Sequence, residues 1–383
     1  MAETQTGVII GVDTHKRLHV VAVISPHGQR LDVRQFEAHG DGYKAALAWV
    51  KTYGTPLRAG IEGSSSYGVG ISRFLRANDI AVFDVYAPNK QDRRRRGKDD
   101  AIDAFQAAEA ALTFERCAPS KDNDAAVEAA RLLESTYQQA VKQRTATINA
   151  LKAALLILPD QTRSQLEGMS TKELVNTCAR YRITDQTDAG RGIKMSLRSM
   201  AKRIISLNSE IASLNAAIEQ YAADLLSATT SLLGVGAHGA IRLLCSAGQN
   251  IERLKSESSF AMLCGVSPIP ASSGNTHRHR LNRGGDRKAN CVLHMMVLTR
   301  QNRCEKTKEY IIKRMSEGKS KKDAVRSLKR YMAREVFGAL KADLAALDLK
   351  QEWRADELRD EKSASAPHIF KERNFYKSGY LTT

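Results

Sequence analysis

Proline is missing from the middle of this 383-residue chain: of eight prolines, none falls between Pro159 and Pro268. A span rich in Ala, Leu, Lys, Gln and Glu with no proline to remove a backbone donor is expected to be largely helical. Cysteine is scarce too. Cys117, Cys178, Cys245, Cys264, Cys291 and Cys304 show no C-x-x-C spacing, which argues against a zinc site or a disulfide framework and leaves them as reduced, small apolar side chains. No apolar run is long enough to span a bilayer, and the opening Met-Ala-Glu-Thr-Gln-Thr-Gly lacks a charged start followed by an apolar core. Neither a membrane span nor a secretory leader is expected, and the protein reads as cytoplasmic. Acids are in deficit, 42 against 59 Lys and Arg, for a net charge of +17. That balance points to a polyanionic partner, most commonly nucleic acid, with membrane binding the weaker option.

What is present is organised around residues 93–104, Arg-Arg-Arg-Arg-Gly-Lys-Asp-Asp-Ala-Ile-Asp-Ala. Arg93, Arg94, Arg95, Arg96 and Lys98 run into three aspartates, and the residues after Asp99 read as a helix. With a helix start near Lys98, Asp100 and Asp103 share one face. Two such carboxylates repel each other and call for a cation between them, Mg²⁺ or Mn²⁺ for hard oxygen ligands. The arginines would hold a polyanion beside it. The competing reading is an acidic first turn that complements the helix dipole next to a solvated basic loop.

Upstream, residues 8–12 (Val-Ile-Ile-Gly-Val) read as a buried strand ending on Asp13, followed by strands at 18–24 and 30–38. Helical spacing at 43–53, a strand at 57–61 leading into Glu62, a helix at 67–77 and a strand at 80–85 complete the order β-β-β-α-β-α-β-α. This predicts a mixed sheet with helices on its faces. Acids at the ends of the first and fourth strands and on a late helix follow the chain order of an RNase H-like nuclease core, whose carboxylates hold two metals.

In the middle, Ile193, Leu197, Met200, Ile204, Leu207, Ile211, Leu214, Ile218, Tyr221 and Leu225 alternate at spacings of four and three, a heptad seam. Residues 127–158 repeat the pattern with Glu134 and Arg144 interrupting it. The two helices are expected to pair as an antiparallel arm, the polar residues between Pro159 and Ile193 forming its tip; the seam does not say whether the partner helix belongs to the same chain.

Further on, residues 231–244 place a Gly-Val-Gly turn between apolar segments, as in a helix-hairpin-helix or in a plain turn between packed helices. A loop opened by Pro268 and Pro270 then presents Ser272-Ser273-Gly274, followed by Arg278, Arg280, Arg283, Arg287 and Lys288. Those cations could grip a phosphodiester by bidentate hydrogen bonds, whereas a serine in such a loop is ordinarily a turn residue. His277 and His279 could act as a base, and the favoured reading is phosphate contact or solvation for both. From Arg278 to Lys341, Lys and Arg outnumber acids about threefold, and a basic amphipathic helix carries Ala324, Leu328, Met332 and Val336, marking a nucleic-acid face.

The segments Gly11-Val12-Asp13-Thr14-His15-Lys16, Ile61-Glu62-Gly63-Ser64 and Lys98-Asp99-Asp100-Ala101-Ile102-Asp103-Ala104 resemble the three acidic motifs of the DEDD insertion-sequence transposases, the bridge-RNA-guided recombinases. The serine-glycine pair resembles the nucleophile motif of that family's C-terminal domain. The resemblance implies Asp13, Glu62, Asp100 and Asp103 as ligands of Mg²⁺ or Mn²⁺, with Asp99 a bystander and Ser273 the nucleophile, Ser272 being the nearby alternative. It also implies donor and target DNA, a structured guide RNA, and a homo-oligomer in which acidic and serine domains of different protomers form one site. The expected organisation is a RuvC-like domain at 1–120, a helical coiled-coil arm at 121–228, a mainly helical transposase domain at 229–345 and a polar tail at 346–383. The rival readings are a Holliday-junction resolvase-like nuclease that uses the four acids with water, and a non-catalytic nucleic-acid-binding protein.

Overall fold

The computed structural model describes residues 7–86, 99–121, 125–184, 187–274 and 279–364. Strands β1 (Gly7–Thr14), β2 (Leu18–Ile24) and β3 (Arg30–Glu37) form an antiparallel meander; β4 (Thr55–Glu62) and β5 (Ala81–Val85) add in parallel, and a short antiparallel β6 (Cys117–Pro119) closes the order β3-β2-β1-β4-β5-β6. Helices α1 (Gly40–Lys51) and α2 (Val69–Arg76) cover one face, where Leu47, Val50, Ile71 and Leu75 meet Val8, Ile10 and Val12. Helix α3 (Asp100–Thr113) covers the other through Ala104, Ala108 and Ala111 against Ile9, Ile24, Val20 and Ala22. Covered on both sides, β1 reads as a continuous apolar run rather than an alternation.

The strand and helix order agrees with the sequence reading except for β6, whose three residues end on a proline and carry no periodic signal. Helix α3 starts at Asp100 rather than near Lys98, because Asp99 takes the extended N-cap conformation and accepts a hydrogen bond from the amide of Ala101.

Helix α4 (Ala125–Ala154) pairs antiparallel with α7 (Asp188–Leu225) of the same chain. Leu197 and Ile204 pack with Leu151 and Leu155, Leu207 and Ile211 with Ala140, and Ile218 and Ala222 with Val127 and Ala130. The heptad seam is therefore spent within the chain. At the tip stand two short helices, α5 (Asp160–Glu167) and α6 (Thr171–Ala179), where the sequence reads only as a polar connection.

The root of the arm joins a second core built from α8 (Ala237–Ala247), α9 (Glu257–Leu263), α10 (Arg287–Arg303), α11 (Glu305–Ser316) and α12 (Lys321–Ala364). Before α8 stands a single helical turn, Ser227–Thr230, capped by the buried Asp343, and the Gly-Val-Gly segment connects this turn to α8. Helix α12 runs on to Ala364, into the segment read as a polar tail, because its Ala, Leu, Glu, Lys and Arg residues meet neither proline nor glycine there. No helix of the described residues is long and apolar enough to cross a membrane.

Candidate active site

Two glycines set the geometry of the acidic cleft. A Cβ on Gly11 would stand 2.0 Å from the Ala104 carbonyl oxygen, and one on Gly60 2.0 Å from that of Ala107. Glycine on β1 and β4 and alanine on α3 thus let helix backbone lie directly on sheet backbone. Two residues beyond each glycine, on the same face, come Asp13 and Glu62, which are register partners on neighbouring parallel strands. The Thr14 hydroxyl donates to the Glu62 carbonyl at 2.7 Å and ties the two strand ends together.

The N-terminus of α3 brings Asp100 to this edge. His15 Nε2 stands 3.2 Å from Asp13 Oδ2 and 3.3 Å from Asp100 Oδ2, and one donor atom from each of the three residues falls within 4.8 Å of the others. The His15 Nε2 atom is buried without a hydrogen bond of acceptable geometry. A buried, unsatisfied imidazole nitrogen facing two carboxylates fits a divalent cation, which would take all three as ligands. Glu62 and Asp103 open on an adjoining cleft of 380 Å³, together with Glu109, Glu115 and Arg116. Of the four sequence-predicted acids, then, Asp13 and Asp100 meet in one cluster, and Glu62 and Asp103 line the space beside it.

His15 is the residue that sequence reasoning passed over as a ligand. The available signal was its spacing of two from Asp13, which returns the side chain to the same face where β1 ends. Asp84, by contrast, pairs in register with Ile61 and faces the opposite side, where it accepts a hydrogen bond from Ser64 at 2.7 Å.

The serine loop lies in the other core. Strands β7 (Ile269–Pro270) and β8 (His279–Arg280) pair antiparallel and enclose it. Ser272 and Ser273 are exposed, and Gly274 takes φ of 54°, a turn that glycine adopts without strain. The base is rigid: Gly265 and Gly285 cross so closely that a Cβ on Gly285 would lie 2.2 Å from the Gly265 nitrogen, and the Asp286 amide donates to Leu263. Arg280, Arg283 and Arg287 line the grooves around this base, and Lys288 is exposed at the start of α10. Asp286, in the middle of that basic run, is a helix cap that accepts from Lys288 and Ala289. Arg93, Arg94, Arg95, Arg96, Lys98, His277 and Arg278 lie outside the described residues. Ser273 is not among the residues gathered at the acidic cleft.

A family model for DEDD transposases of the IS110 type matches residues 10–158, the stretch with all four acids. A second, described as transposase of the IS116/IS110/IS902 family, matches residues 227–311, which carry the serine loop. No curated protein matches the chain.

Proposed function

The chain belongs to the IS110 family of transposases, and on that premise we propose that it cuts and rejoins DNA by transesterification, with Asp13, Glu62, Asp100 and Asp103 holding a divalent metal and Ser273 attacking the scissile phosphate. The observation that carries the metal assignment is the meeting of Asp13 and Asp100 around the unsatisfied Nε2 of His15. A divalent ion bound there supplies charge stabilisation for a phosphate in displacement. His15 would join the carboxylates as a nitrogen donor.

In the proposed reaction the Ser273 oxygen bonds to phosphorus as the bond to one deoxyribose oxygen breaks, and the serine proton ends on that departing oxygen. A hydroxyl of another strand end then attacks the serine phosphodiester, restoring Ser273 and leaving the number of phosphodiester bonds unchanged. No external energy source is required, which separates this route from hydrolysis. Because no motif adjacent to Ser273 in the sequence resembles a catalytic triad, the loop works when docked against an acidic cleft, supplied by another protomer of a homo-oligomer. The basic surface suits donor and target DNA, and an element-encoded guide RNA would pair with both.

Mn²⁺ binding followed by calorimetry tests the metal site. Asp13→Asn and Asp100→Asn are predicted to weaken binding at least tenfold, as loss of a ligand does. Asp99→Asn should bind normally, since Asn caps a helix about as well as Asp. Equal weakening by Asp99→Asn, or none by Asp100→Asn, would contradict the assignment.

A further inference from the structure

A surface lysine keeps its ammonium group in water, but Lys329, on α12, is only 9% exposed. Its Nζ donates to Asn290 Oδ1 at 3.0 Å, and among the described residues no carboxylate lies within ion-pair reach of it. Burial, and then the nearby charge of Arg326, hold its pKa below the ordinary lysine value. The amide nitrogen of Asn290 is committed to the carbonyls of Cys264 and Gly265 at 2.9 and 3.2 Å. Its oxygen is thereby aimed at Lys329, and the pair is fixed to the backbone from which the serine loop departs.

The surroundings add positive charge. Lys329 lines a groove of 670 Å³ with Arg280, Arg314, Lys319, Arg326 and Arg330. The one acid lining that groove, Asp323, is held by Ser320 and Arg326. Arg314 bonds Glu317, and Arg330 bonds Glu257. Lys329 also lines the neighbouring groove that holds Arg283 and Arg287, so it sits where the two meet. A buried charge with a single neutral partner costs stability that an apolar side chain of similar size would restore. A bound anion would offset the same cost.

We propose that Lys329, oriented by Asn290, anchors a DNA phosphodiester in the groove at the base of the Ser273 loop. The proposal rests on the reading that this part of the chain handles DNA, and on neither the metal nor the serine chemistry.

The test is equilibrium binding of a short mixed-sequence DNA duplex to the full chain in EDTA, titrated with salt. Lys329→Met is predicted to weaken binding roughly tenfold and to reduce the log–log salt slope by about 1, the worth of one phosphate contact. Its thermal midpoint should hold or rise. Lys329→Gln, which keeps a polar head for Asn290, is predicted to show the same drop, so the test survives if the methionine variant misfolds. Arg334→Met, on the same helix but bonded to Glu257, should leave the slope unchanged. Wild-type affinity and slope in Lys329→Gln, an equal drop in Arg334→Met, or a drop seen with an RNA duplex and not with DNA would each overturn the proposal. Failure of cleavage with this binding pattern intact would count against the catalytic reading alone.

Discussion

Asp99 and Asp100 are adjacent and chemically identical, yet one caps α3 while the other reaches the cluster with Asp13 and His15. The difference comes from where the helix begins, and the helix is placed by the glycines beneath it. Gly11→Ala would force a Cβ into the Ala104 carbonyl; overpacking of that kind costs roughly 1–3 kcal/mol, and relief requires α3 to lift away with Asp100 and Asp103. The variant is therefore predicted to melt earlier and also to lose Mn²⁺ affinity, although no ligand has changed. Calorimetry on a sample confirmed folded by circular dichroism checks this, and a destabilised variant with wild-type metal affinity would show that α3 tolerates the displacement. The meeting of Asp13 and Asp100 was foreshadowed in the sequence because strand-end and helix-start carboxylates follow a recognisable order. The settings of His15 and Lys329 were not, since each depends on burial and on neighbours that only the folded chain brings together.

Among the elements, the arm shows how far periodicity reaches. The seam from Ile193 to Leu225 predicted a partner helix, and α4 fills that place within the chain; the charges interrupting the α4 pattern turn out to have separate uses. Arg144 donates to Asn208 across the pair. Glu134, buried at the arm's root, accepts from Arg242 at 2.6 Å, and its other oxygen stands 2.6 Å from His238 Nδ1. Burial alone would raise the Glu134 pKa, but the bonds to His238 and Arg242 outweigh it and hold the carboxyl below its ordinary value. A group whose pKa is lower in the folded state adds stability above its unfolded value and loses it as pH falls through the folded one. Glu134→Gln is thus predicted to cost roughly 3 kcal/mol at neutral pH and to flatten the decline of Tm with acid below the unfolded value near 4.5. Parallel Tm curves for the two proteins would mean that the contact contributes nothing to acid sensitivity. The shorter elements escaped sequence reading for a physical reason: β6, β7 and β8 have two or three residues each, too few for a period to repeat.

Taken whole, the molecule keeps its acids and its serine on separate cores. The acidic cleft sits at one end of a sheet, and Ser273 on an exposed loop braced by α9 and α10, within a basic surface that accounts for much of the net charge of +17. In the proposed reaction each half supplies what the other lacks, carboxylates for a metal on one side and a serine hydroxyl among arginines on the other. The account stands on the claim that they combine through a covalent serine–DNA ester. The most direct measurement is to incubate the full chain with Mg²⁺ and DNA bearing its recombination site, denature, and map any protein–DNA adduct by peptide mass spectrometry. The account predicts an adduct on Ser273 that disappears in Ser273→Ala and in Asp100→Asn while DNA binding persists, and that largely survives Ser272→Ala. An adduct that persists in Ser273→Ala, or normal recombination by both serine variants, would contradict it.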